Sequence, residues 1–328
     1  MRAPLLLLVP LLLLLVRAMQ AGRRVAARTL SRATMEGFLQ RVRENNDLGG
    51  MSLSALVPFV VDGKTVGFTQ PDFARECATI GRDVFVYGGA SLTLHESLHV
   101  ADIMQRTSAV GAVTLAMRDQ GIIKGWRDEL LPVVESFSSQ PVLLMERAAY
   151  PFFGMKGYGV HVNGFCRTTE NELRLWVATR SPTKSTWPGM LDHLVAGGQP
   201  HGISPTDNVV KECGEEAGIA PDLASRALPV SAVSYTGLDE AGRLKRDCLF
   251  CYDLELPQSF TPVAVDGEVQ GFELKELDWV IEQIAVGGRY KPNCNIVVID
   301  FLFRHGVIAP ESPLYLELIS SLRSGECS

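Results

Sequence analysis

From Met35 onward, short apolar runs alternate with helix-like stretches. The runs ALVPFVV (residues 55–61), VGFT (66–69) and DVFVYGG (83–89) have strand length and are bounded by turn residues. The stretch SLTLHESLHVADIMQRTSAVGAVTLAMRDQG (91–121) has helical periodicity. This part reads as a small α+β domain over residues 35–145. Turn residues then thicken at Pro141, Pro151, Gly154, Gly157 and Gly159, and a strand series follows in GYGVHVNGFCR (157–167) and ELRLWVATRS (172–181). The pattern predicts a second domain over residues 146–312. The remaining tail, 313–328, reads as an amphipathic helix with a frayed end.

The start of the chain belongs to neither domain. LLLLVPLLLLLV (5–16) is too short to span about 30 Å of hydrocarbon and reads as a signal-type apolar segment. Arginine-, alanine-, serine- and threonine-rich text follows, and the first acidic residue is Glu36. Residues 1–34 therefore read as an organellar presequence, with a plastid favoured over a mitochondrion and a plain secretory signal left open. No stable membrane anchor is expected in the mature protein.

Composition narrows the function classes. The 328 residues carry 37 acidic and 31 basic side chains, a net charge of -6, with no basic block after the leader. That argues against nucleic acid as a partner, because phosphate backbones need a concentrated cationic face. Seven scattered cysteines do not form the framework of a disulfide-stapled domain, and a reducing compartment is expected. Cys248 and Cys251 have CxxC spacing but no second pair, so they read as strand residues.

The segment AGGQPHGISPTDNVVKECGEEAGIAPDL (196–223) carries the chemistry. Ser204, Pro205 and Asp207 predict a helix start, and Gly218 predicts its end. Val209, Val210, Cys213 and Ala217 can face the protein, which leaves Glu212, Glu215 and Glu216 together at helical spacing. Three such carboxylates repel one another and call for a cation. Hard divalent ions take oxygen ligands, and Gly197 lets the backbone approach closely enough to offer a carbonyl.

This segment resembles the Nudix box, with Lys211, Glu212, Cys213, Gly214, Glu215, Glu216, Ala217, Gly218 and Ile219 as its core. Lys211 stands where the box has arginine, and Ile203 where it has an earlier glutamate; Asp207 is the nearest acid. GWRDELLPV (125–133), MERAAYPFFGMKGYGVHVNGF (145–165), LWVATRSPTKSTWPGMLDHLVAGGQPHGIS (175–204), DGEVQGFEL (266–274) and YKPNCNIVVIDFLFRHG (290–306) look like one Nudix branch. That branch includes plant chloroplast enzymes and the Nudix domain of fungal thiamine pyrophosphokinase. The resemblance implies a Nudix fold, a mixed sheet between helices, preceded by the small α+β domain. It also implies Mg²⁺- or Mn²⁺-dependent hydrolysis of a small-molecule diphosphate, oxidised thiamine diphosphate to the monophosphate. Metal ligands map onto Glu212 and Glu216, with Glu215 next as ligand or base; Glu268 is an alternative base, and Lys211 keeps the charge of the box arginine. A homodimer is compatible with all of this.

Two rival readings come from other classes. His95, Glu96 and His99 match HExxH, the pattern of a zinc metallopeptidase if it lies on one helix. Loss of the glutamate at position 203 would suit a non-catalytic Nudix-fold binding module. Trp176, Trp187, Phe153 and Tyr158 are aromatic residues that can stack on a substrate ring or fill the core.

Overall fold

The computed structural model describes residues 27–325. Ser31 accepts a hydrogen bond from the Thr34 backbone N–H at 3.1 Å and starts helix α1 (Arg32–Asn45). The helix buries Met35, Phe38, Leu39 and Val42, a stripe at helical spacing. Strands β1 (Val57–Val61) and β2 (Lys64–Thr69) form a hairpin, and helix α2 (Pro71–Ile80) begins with proline in its first turn. Strands β3 (Phe85–Tyr87) and β4 (Leu92–Leu94) complete a sheet of order β2-β1-β4-β3. Helix α3 (Ile103–Asp119) is set off by a capping box between Asp102 and Gln105. A ribbon of β5 (Leu130–Val133) and β6 (Leu143–Glu146) leads to the short helix α4 (Tyr150–Phe153).

The single helix expected across 91–121 is corrected. Leu92 and Leu94 alternate inward as a strand, and His95 accepts from the Ser97 N–H to start a short 3-10 turn over Glu96–Leu98. Asp102, in extended conformation, then starts α3. Local side-chain bonds to the backbone have overridden the helical period.

The second unit is one seven-stranded mixed sheet. It contains β7 (Lys156–Arg167), β8 (Leu173–Arg180), β9 (Leu191–Asp192) and β10 (Val195–Gly198). Helices α5 (Pro205–Ala217) and α6 (Pro221–Ala224) follow, then β11 (Leu228–Leu238), β12 (Leu244–Glu255) and β13 (Val269–Glu276). Helices α7 (Leu277–Val286), α8 (Pro292–Arg304) and α9 (Tyr315–Ser321) end the fold. The order is β11-β12-β7-β8-β13, with β10 on β7 and β9 on β8; β12 and β7 run parallel. Alternation along β7 sends Phe165 into a core with α1, α7, α8 and α9, and Val160 and Val162 into a core with α5. The sheet is thus covered by helices on both faces.

Helix α1 packs in the core of the second unit, although its sequence position is beside the first. Arg28 exchanges backbone bonds with Val307 and Ala309, each at 2.9 Å, so residues 28–34, given to the leader on composition, are part of the fold. The apolar segment 5–16 and Cys327 lie outside the described residues. Cys248 and Cys251 are buried in β12, and no disulfide forms among the described residues. Among those residues, no helix is long and apolar enough to cross a membrane.

Phe153 anchors α4 in the core of the first unit. It is fully buried, and its ring centroid lies 5.1–5.8 Å from those of Phe59, Phe73 and Phe85. The next residue, Gly154, has φ +54, and a Cβ there would stand 2.1 Å from the Phe68 carbonyl oxygen. Phe153→Ala is expected to cost about 3–5 kcal/mol of stability, read by denaturant unfolding. A loss below about 1 kcal/mol would show that α4 does not depend on this cluster.

Candidate active site

Helix α5 starts where the serine and proline predict. Ser204 Oγ accepts from the Asp207 N–H at 3.1 Å and donates to the Asp207 carboxylate at 2.6 Å. Asp207 is therefore the partner of the cap. Gly218, with φ +62, ends the helix. Val209, Cys213 and Ala217 seat it on the sheet, and the buried Asn208 donates to the Gly198 carbonyl at 2.8 Å. Asn208 went unnoticed in the sequence because a helical asparagine carries no box signature.

The three glutamates are not equivalent. Glu216 is buried and accepts the Ala196 N–H at 3.1 Å. The Glu212 side chain is 15% exposed and lies over Gly197, where a Cβ would fall 2.4 Å from its carboxyl carbon. Only glycine fits there without moving the carboxylate. The Glu215 side chain is 52% exposed and held by Lys211 Nζ at 2.7 Å; the same ammonium reaches Glu212 at 3.3 Å. Lys211 thus bridges two box carboxylates, the task open to an arginine at its position.

Burial, then the negative charges of Asp192, Glu212 and Glu268, raise the Glu216 pKa well above the ordinary carboxylate value. Burial also raises Glu212, against the pull of Lys211, with Glu215 and Glu268 adding to the rise. Glu268 behaves oppositely. Partial burial opposes its ionised form, but Lys184 at 2.5 Å, with Arg180 and Arg147 farther off, lowers its pKa. Glu212, Glu216 and Glu268 therefore sense one another's charge, while Glu215 stays at the rim. Oxygen donors whose ionisation is opposed by burial and by mutual repulsion fit a hard divalent cation, which relieves both.

A groove of about 230 Å³ opens beside this cluster, with Ala196, Gly197 and Gly198 in its wall. Leu131, Arg147 and Tyr150 line it from the first unit. A Cβ on Gly198 would meet the Arg147 guanidinium at 3.8 Å, so the first unit supplies a cation directly to the glycine strand. Of the four aromatic candidates, Trp187 and Tyr158 line the groove, whereas Trp176 and Phe153 are core. Trp187 sits at φ +49, its carbonyl held by Arg180 at 3.0 Å, and the Lys245 ammonium is 4.9 Å from its ring centroid. A second cavity of about 270 Å³, lined by Trp279, Lys275 and Arg289 among others, touches none of the box residues.

His95 and His99 do not share a site. His95 Nδ1 is 2.9 Å from Ser97 Oγ, and His99 Nε2 is 3.2 Å from the Leu94 carbonyl oxygen. The helix that HExxH needs is missing between them, so the pattern loses its zinc-binding geometry.

The chain is similar to known proteins over most of its length. A family described as "Domain of unknown function (DUF4743)" matches residues 37–157. "Nudix hydrolase 24, chloroplastic" of Arabidopsis thaliana is 46% identical over 296 residues, covering 90% of this chain and 80% of that protein. "Nudix hydrolase 20, chloroplastic" of the same plant is 45% identical over 303 residues, covering 90% and 79%. Among solved structures, an Ap4A hydrolase of C. elegans is 15% identical, covers 45% of this chain and 98% of its own, and has a TM-score of 0.32.

The raised pKa of Glu216 makes metal-free stability depend on pH. The folded protein retains a proton on this group that the unfolded chain has released. Its contribution is full below the ordinary carboxylate range and is lost as pH rises through the raised value. In chelator, wild type should therefore lose melting temperature relative to Glu216→Gln as pH rises above the ordinary carboxylate range. A difference that does not change with pH contradicts the buried, proton-holding carboxyl.

Proposed function

The chain belongs to the Nudix hydrolases, enzymes that cleave diphosphate linkages and generally use divalent metal ions, and from that premise we propose that it hydrolyses oxidised thiamine diphosphate to the monophosphate. The carrying observation is the groove beside the carboxylates. Arg147, Lys245, Arg246 and Lys291 line it with Asp247, which Lys245 approaches to 3.2 Å; Glu129 pairs with Arg147 at 2.7 Å and Asp192 with Lys291 at 3.5 Å, which leaves the lining itself rich in cations. Such a surface attracts a diphosphate and opposes a cationic ring. Thiamine diphosphate carries a thiazolium cation; its oxo form is neutral at the same ring. Trp187 and Tyr158 offer the neutral ring apolar surface.

Glu212 and Glu216 would hold Mg²⁺ or Mn²⁺, with the Gly197 carbonyl and Glu215 as further oxygen donors, and the ion would neutralise charge on the diphosphate oxygens. Lys211 fixes the Glu212 carboxylate, and the Ala196 N–H fixes Glu216. Glu268, ionised and coupled to both, is the group we assign to take the proton of the attacking water. Arg147 and Lys245 orient the diphosphate, and Trp187 positions the ring. The retained carboxylates, each held by a defined partner, favour catalysis over a binding module that has lost it. The two Arabidopsis relatives named chloroplastic, together with the leader composition, support a plastid location.

Specificity constants for oxidised thiamine diphosphate and thiamine diphosphate, measured with the same metal, test the substrate. The oxidised form should be preferred by roughly 10- to 100-fold, about 1.4–2.8 kcal/mol. Equal values, or a higher value for a nucleoside diphosphate derivative, would overturn the substrate while leaving the reaction class intact.

A further inference from the structure

Behind the groove lies a cluster that diphosphate chemistry does not use. His161 on β7, His193 between β9 and β10, and Cys294 in the first turn of α8 are 3%, 4% and 0% exposed. One ligand atom from each lies within 4.8 Å of the other two. The imidazole rings meet edge to face, with centroids 4.9 Å apart. Each also has a buried nitrogen without a hydrogen-bond partner, Nδ1 of His161 and Nε2 of His193. Such orphaned groups are costly in a packed interior, where polar atoms are normally satisfied.

We propose that His161, His193 and Cys294 form a second metal site, one that takes zinc. A thiolate with two imidazoles is a borderline-soft donor set, which selects Zn²⁺ over the Mg²⁺ or Mn²⁺ suited to the box carboxylates. Zinc bonds of about 2.0–2.3 Å place tetrahedral ligands roughly 3.4–3.7 Å apart, so the observed spacing closes with small side-chain rotations. Asp192 adjoins the three ligands, and a fourth position is left to water. Its Oδ1 accepts from the Cys294 thiol at 2.8 Å and from the His193 backbone N–H at 2.9 Å. Its Oδ2 is held by Arg180 at 2.7 Å, with Lys291 at 3.5 Å. On binding, the S–H bond breaks, the proton passes to solvent and the sulfur lone pair bonds the ion. Access is through the groove, which His161 and Lys291 line. The site would tie β7, the β9–β10 segment and α8 together beneath the substrate.

The test is metal analysis of the full chain after loading with zinc and gel filtration. About one zinc per chain should be retained by wild type and by Glu216→Gln, and lost from Cys294→Ser and His193→Asn. Cobalt(II) supplied to wild type should give a thiolate-to-cobalt charge-transfer band and the strong visible absorption of a tetrahedral ion. That measurement needs no variant and survives any folding defect in the substitutions. Absence of zinc from loaded wild type, absence of the thiolate band, or zinc that disappears with Glu216 in place of Cys294 would overturn the site. None of these outcomes depends on which diphosphate the enzyme cleaves.

Discussion

Everything at the candidate site depends on how closely helix α5 is pressed onto strand β10. The contact leaves no room for a Cβ at Gly197, fixes Asn208 on the Gly198 carbonyl, and buries the Glu216 carboxyl against the Ala196 N–H. Burying a carboxylate is expensive unless it is paired. Among the described residues no cationic side chain pairs with Glu216, and its neighbours in charge are Asp192, Glu212 and Glu268. Such an arrangement is unfavourable for a protein alone and favourable for one that binds a divalent ion. Apolar packing by Val209, Cys213 and Ala217 holds the helix down against that repulsion.

The rest of the site is assembled around this contact by elements distant in sequence. The loop between β8 and β9 spans both ends: Lys184 holds Glu268, and Trp187 enters the groove. Arg180 anchors that loop through the Trp187 and Thr186 carbonyls while pairing with Asp192 at 2.7 Å. The first unit closes the opposite wall. Arg147 follows Glu146, a buried carboxylate that accepts the backbone N–H groups of Arg127, Glu129 and Ala148, so its backbone is firmly placed. The first unit therefore shapes the groove as well as packing against the second.

The box was legible because its signals are local. A serine cap, an early proline, a terminal glycine and two glycines before the helix each act within a few residues. Grouping the glutamates on one face was too coarse. At about 100° per residue, Glu216 falls about 20° from Val209, within the buried face, Glu212 about 60° away and Glu215 about 120° away. That gradient matches burial from Glu216 to Glu215. Arg147 and Lys184 were not assigned to the site, and Trp187 was left between ring stacking and core, because contacts across loops and units leave no spacing to read. At His95 the rival pattern matched over only three fixed positions, and capping bonds turn the chain out of the helix it would need.

The central claim is that Glu212 and Glu216 are brought together to hold the metal for diphosphate cleavage. Its most direct test is turnover of a diphosphate substrate by Glu216→Gln across a Mg²⁺ or Mn²⁺ titration carried to saturation. The substitution keeps the shape and removes the charge. Turnover should fall by at least about 100-fold, roughly 2.7 kcal/mol, with no recovery at saturating metal. Near wild-type turnover at saturation would contradict the claim.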